Sequence, residues 1–151
     1  MLRSALAPFL ILATVVSAVA SEKEDKAPPL LMLTAKDHTK TIDVQPGQKI
    51  EIQLSNAKPG AGWEPGGTEI RGASLALANP KRKGNCDEFR PEDPTELKTT
   101  VGTYVFRYIA KETGGSKLRL THLYPSGPEP QRRGATQLIA EFVITVNVLD
   151  K

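Results

Sequence analysis

KIEIQLSNAKPGAGW, Lys49–Trp63, holds the pattern on which the fold is read. In its first six residues the apolar Ile50, Ile52 and Leu54 alternate with Lys49, Glu51 and Gln53, the period of two expected of a strand with one buried face. The strand then runs into Ser55, Asn56, Lys58, Pro59, Gly60 and Gly62 before it meets Trp63, the chain's one tryptophan. A plain turn needs fewer residues. Asn56 can bond nearby backbone groups, Pro59 presets its own φ, and the glycines allow conformations closed to other residues. The expected structure is a shaped loop whose base is pinned by the indole, packed back into the core as the structural anchor.

The same period recurs along the chain. TYVFRYIA (Thr103–Ala110) sets Tyr104, Phe106 and Tyr108 on one face. KLRLTHL (Lys117–Leu123) points Leu118, Leu120 and His122 one way. QLIAEFVITVNVL (Gln137–Leu149) groups Leu138, Ala140, Phe142, Ile144, Val146 and Val148. Shorter candidates are LLMLTA from Leu30, TIDV from Thr41 and SLALA from Ser74. QPGQ at Gln45, TGGS at Thr113 and PSGPEP at Pro125 supply turns between them. No window of helical length carries a 3.6-residue stripe. These features predict an all-β chain, an immunoglobulin-like antiparallel β-sandwich of about seven or eight strands, with a small closed barrel as the alternative.

Residues 1–20, MLRSALAPFLILATVVSAVA, read as a secretory signal peptide: Arg3 supplies the positive end, an apolar run follows, and Ala18-Val19-Ala20 is a small-x-small cleavage site. The run is too short to anchor the chain in a bilayer. Residues 21–29, charged and Pro-rich, are expected to form a flexible arm. Residues 30–151 then suit one β-sandwich domain. A secreted or periplasmic location follows, with no stable membrane insertion after cleavage.

Setting Arg3 aside from 20 basic residues leaves 19 against 17 acidic ones, too even and too short of aromatics for a nucleic-acid binder. The cluster Lys81–Lys83 is expected in a solvated loop. Cys86 has no second cysteine to pair with, and its acidic neighbours Asp87 and Glu88 disfavour a reactive thiolate. Catalytic motifs of the G-x-S-x-G or H-E-x-x-H kind do not occur, so no enzyme activity, no catalytic residue, no cofactor and no metal site is expected. His122 is expected to fill a strand face.

Taken together, IEIQL, the five-residue Asn56–Gly60 segment and the following Trp63 resemble the chagasin family of cysteine-peptidase inhibitors. That family's loop reads N-P-T-T-G, followed by an aromatic residue, Ala and Trp. VGTYVFRYIAKETGGSKLRLTHLYP and AEFVITVNV are similar to its later strands, so the likeness runs from about Thr39 to Leu149. It implies three loops at one end of the sandwich that fill the active-site cleft of a papain-like cysteine peptidase without covalent chemistry, by a protein acting as a monomer. The corresponding residues here are Asn56, Ala57, Lys58, Pro59 and Gly60; Thr99, Thr100, Val101 and Gly102; and Tyr124, Pro125, Ser126 and Gly127. Ala57, Lys58 and Pro59 depart from the first motif. The second retains only its last glycine, and the third keeps Pro125 but lacks the family's tryptophan, leaving Tyr124 as the aromatic for that place. A secreted immunoglobulin-like binding module without inhibitory activity is the other reading of the same loops.

Overall fold

The structure is a computed structural model that describes residues 27–96, 98–125 and 136–150. The expected signal peptide, most of the arm, and Ser126 and Gly127 lie outside the described residues. Among the described residues nine strands are formed: β1 (Leu31–Thr34), β2 (Thr41–Val44), β3 (Lys49–Asn56), β4 (Gly62–Arg71), β5 (Leu75–Leu77), β6 (Glu88–Pro91), β7 (Gly102–Ala110), β8 (Gly114–Pro125) and β9 (Thr136–Val148). One short 3-10 turn, Ala35–Asp37, joins the first two.

The strands make an immunoglobulin-like sandwich. Its first sheet has the order β1-β3-β7-β5, with β6 also paired to β7; the second is β2-β9-β8-β4. Ile50, Ile52, Leu54, Phe106 and Tyr108 of the first sheet join Leu118, Leu120, Phe142, Ile144 and Val146 of the second in a single buried cluster. These are the faces the alternation selects, and each such side chain contributes roughly 1.5–3 kcal/mol by leaving water.

Four details differ from the sequence reading. The sandwich is not purely antiparallel: β1 pairs β3 and β2 pairs β9 in parallel. The chain crosses to the second sheet at β2 and returns at β3, so β1 and β3 enter one sheet in the same direction. The strands number nine because β4 and β6 escape the pattern. Pro65, Gly66 and Gly67 interrupt β4, where the register shifts between Pro65 and Ile70, and β6 is four residues ending in proline.

Leu138 does not share the core face of β9. A register irregularity opposite His122 and Leu123 turns it outward, and it is 53% exposed. Finally, the Lys81–Lys83 loop is not wholly solvated. Lys81 and Lys83 are exposed, but the Arg82 side chain is 7% exposed, with Nη2 2.8 Å from Glu69 and Nη1 3.6 Å from Asp87. A guanidinium can be buried when carboxylates meet it there.

Candidate functional site

β3 runs toward the end of the sandwich where β4 and β7 begin and β8 stops. Asn56 pairs with Gly102 across β3 and β7, and Gly62 pairs with Leu123 across β4 and β8. Three segments far apart in the chain therefore meet on one rim.

The first is a tight turn. Ala61 N–H donates to Lys58 O at 3.1 Å, and Gly60 has φ of 81°. Proline at the second position and glycine at the third are what a type II turn requires. Ala57, Lys58, Pro59 and Gly60 are exposed on it, whereas Asn56 is only 2% exposed.

The buried amide of Asn56 organises the rim. Its NH2 group faces the carbonyls of Lys58 (3.0 Å), Ala61 (2.8 Å) and Thr100 (2.7 Å). Its oxygen accepts from Lys58 N–H at 2.9 Å and lies 3.0 Å from His122 Nε2. An amide oxygen only accepts, so the imidazole carries its proton on Nε2. The His122 ring stacks on Trp63 at 4.7 Å between centroids and 11° between planes. Trp63 is buried and donates from Nε1 to Ser55 O at 3.1 Å, which closes the loop base. Burial, then the nearby Lys58 charge, lowers the His122 pKa and so disfavours the charged ring.

The second segment, Thr99–Gly102, is tied to the first by another bond: Gly60 N–H donates to Thr100 Oγ1 at 2.7 Å. Thr99 Oγ1 accepts from Val101 N–H at 3.0 Å and tightens the turn into β7. Thr99, Thr100 and Val101 are half-buried, and Gly102 is buried with φ of 154°. A Cβ on Gly102 would lie 2.3 Å from Arg90 O, so only glycine admits β6 there.

Tyr124 brings in the third segment. Lys58 Nζ lies 4.4 Å from its ring centroid, within cation–π range. A Cβ on Gly60 would be 3.3 Å from Tyr124 Cε2, so the bare glycine lets the turn rest beside the ring. The backbone of Pro125 closes β8 opposite Thr136.

The sequence groups Asn56 and Gly102 with the contact surface. Both are buried, and they hold the rim instead of facing outward. His122 is the residue that sequence reasoning under-reads. Its link to Asn56 spans 66 positions, and alternation marks it only as inward-facing.

Cys86 is half-buried, and burial followed by the Asp87 charge pushes its thiol pKa up, the direction opposite to that of a nucleophile. Among the described residues no group of three His, Cys, Asp or Glu is placed to hold a metal ion.

No family model and no curated protein matches the chain. Solved structures do share its fold. The cysteine protease inhibitor EhICP2 from Entamoeba histolytica aligns with a TM-score of 0.55 and 16% identity, over 80% of this chain and 96% of that one. Amebosin aligns with a TM-score of 0.51 and 22% identity, over 81% of this chain and all of the other. At such identities the likeness is one of fold.

Proposed function

We propose that this chagasin-like sandwich is an exported, non-enzymatic inhibitor of papain-like cysteine peptidases that blocks the active-site cleft with its three-loop rim. The observation that carries the reading is the Asn56 amide, which bonds both its own turn and Thr100, 44 positions away. Ordering a loop on binding costs free energy, and a rim already held by internal hydrogen bonds avoids most of that cost.

The exposed tip is Lys58, Pro59 and Gly60, a turn whose Pro59–Gly60 backbone can approach a cleft closely because little side chain stands there, the Lys58 chain lying over Tyr124. Tyr124 adds a large amphipathic ring beside it, the residue type most often found as an interface anchor. Such a tip can sit over a catalytic thiolate while its rigid turn keeps any peptide bond out of line for attack. The fold shared with the cysteine protease inhibitor EhICP2 supports the same reading.

Steady-state inhibition of papain and of a cathepsin-L-like peptidase by the protein lacking residues 1–20 tests the proposal. Competitive inhibition below micromolar concentrations, with the inhibitor recovered uncut, is the expected result. Absence of inhibition across a panel would leave an immunoglobulin-like binding module. Export is tested separately: N-terminal sequencing of protein recovered outside the producing cytoplasm should begin at Ser21.

A further inference from the structure

The outer face of the second sheet places like charges against each other. Arg71 of β4 and Lys117 of β8 are direct cross-strand partners, so their side chains leave one face with Cβ atoms about 5 Å apart. Arg119 follows two residues along β8, while Leu118 and Leu120 between and beyond them point into the core. Opposed cations repel and destabilise a sheet. Arg119 is ion-paired to Glu141, but neither Arg71 nor Lys117 forms an ion pair among the described residues.

The surroundings shape these cations into a concave surface. Arg71, Lys117 and Arg119 line one depression of about 280 Å³ together with Thr68, Glu141 and Val143. The strand irregularity in β4 supplies its wall. A Cβ on Gly66 would lie 2.8 Å from Thr121 Cγ2 and 3.1 Å from Arg119 Cγ, so glycine there leaves room for the Arg119 stem to lie along β4.

We propose that this depression binds the sulfate groups of a sulfated polysaccharide. The Arg71 guanidinium, the Lys117 ammonium, the Thr68 hydroxyl and the terminal amino groups of Arg119, whose Nε is held by Glu141, present donors suited to oxyanions. Lys117 and Arg119 stand about 6.6 Å apart along the strand, a spread better matched to successive groups on a linear polyanion than to one compact ion. A bound anion would also offset the Arg71–Lys117 repulsion. Val143 provides a small apolar floor for a sugar ring. It is the one apolar side chain in the lining, which disfavours an anionic bilayer, whose binding is strengthened by inserted apolar groups. Arg71 and Gly62 are opposite ends of β4, so the polyanion and the loop rim can be engaged together.

Binding of a heparin dodecasaccharide, measured by titration calorimetry at low and physiological salt, tests this. The protein should bind the oligosaccharide, and R71Q/K117Q should weaken binding roughly tenfold or more. K81Q/K83Q, which removes the same charge from another surface, should bind like the unaltered protein. Equal weakening in both double variants would reduce the site to net charge and overturn it. So would absence of heparin binding at low salt, or tighter binding to phosphatidylserine vesicles than to heparin. Peptidase inhibition, measured in parallel, should be unchanged in R71Q/K117Q, so that this proposal and the inhibitory reading fail separately.

Discussion

His122 Nε2 lies 3.0 Å from Asn56 Oδ1, with the imidazole stacked on Trp63, so a core indole and a surface turn are joined through one buried amide. The consequence is that the rim's shape depends on residues that do not face outward. Replacing Asn56 by alanine leaves the His122 N–H and the buried carbonyl of Ala61 without this partner, at 1–3 kcal/mol for each unsatisfied group. A loss of about 2–6 kcal/mol is expected in urea unfolding. Asn56→Asp should be worse at neutral pH, because a carboxylate oxygen would face three carbonyl oxygens. If the Asn56→Asp variant proved as stable as the original, the hydrogen-bond assignment would be contradicted.

The same pair sets a pH dependence. Burial, then the Lys58 charge, lowers the folded pKa of His122 below its ordinary value of 6.5. The unfolded chain therefore takes up a proton first as pH falls. The stability contribution is complete above 6.5 and declines through 6.5 toward the lower folded value. Glu88 acts in a separate, more acidic window: its pKa is lowered from 4.5 to about 2, first by Arg90 and then by Arg107, so its contribution declines only below 4.5. Urea unfolding between pH 8 and 5 should show a slope that is missing from His122→Gln. Parallel slopes in the two proteins would remove His122 as the cause.

Tyr124 joins two of the three segments through Lys58 and the bare edge of Gly60. If it anchors the rim in a cleft, Tyr124→Ala should weaken peptidase inhibition by roughly tenfold to a hundredfold, the range for a central aromatic contact. Tyr124→Phe should stay near the original, since the ring face meets Lys58. Inhibition constants for the two variants decide this, and an unaffected alanine variant would move the anchor elsewhere on the rim.

The Gly60 turn gives a further check on the same geometry. A residue with a Cβ at φ of 81° is strained, and here it also crowds Tyr124. Gly60→Ala should cost about 1–2 kcal/mol of stability. It should weaken inhibition beyond that cost's effect on the folded fraction, because the turn is displaced from Thr100. A variant that inhibits normally would show that the turn's exact placement is not needed.

How far the sequence could be read follows from the range of each signal. β3, β7, β8 and most of β9 are legible because one face is buried, so Ile52, Phe106, Leu120 and Ile144 repeat every second position. β4 is not, because Pro65, Gly66 and Gly67 replace the alternation at an irregular edge. Leu138 is misassigned for a related reason: one extra residue in a ladder reverses every side chain beyond it. The turn from Asn56 to Gly60 is visible as local chemistry. What Asn56 bonds to is not, since Thr100 and His122 are distant in the chain. Arg82 is the extreme case. Nothing near Lys81 or Lys83 distinguishes it: its neighbour Asp87 is one of several nearby acids, and Glu69, which it meets in two hydrogen bonds, lies on β4.

Arg82 for that reason carries the sharpest stability test. Its Nη2 meets both Glu69 oxygens at 2.9 and 2.8 Å, and the Tyr108 hydroxyl donates to the same carboxylate at 2.5 Å. Burial, then the Glu69 charge, pushes the Tyr108 pKa well above 10, so the hydroxyl keeps the proton it donates. On the other side, Arg82 Nη1 and Asp87 Oδ1 have no hydrogen-bond partner among the described residues, although Nη1 stands 3.6 Å from the second Asp87 oxygen. Arg82→Met would leave two carboxylates with little solvent and no cation, a change that typically costs 3–5 kcal/mol. Adding Glu69→Gln to that variant should recover part of the loss, because one stranded charge is gone. Lys81→Ala and Lys83→Ala, on exposed neighbours, should each stay within about 0.5 kcal/mol. Urea unfolding of the four proteins discriminates the accounts. If Arg82→Met is as mild as the two lysine changes, the loop is solvated after all and the network across the sandwich edge does not hold it.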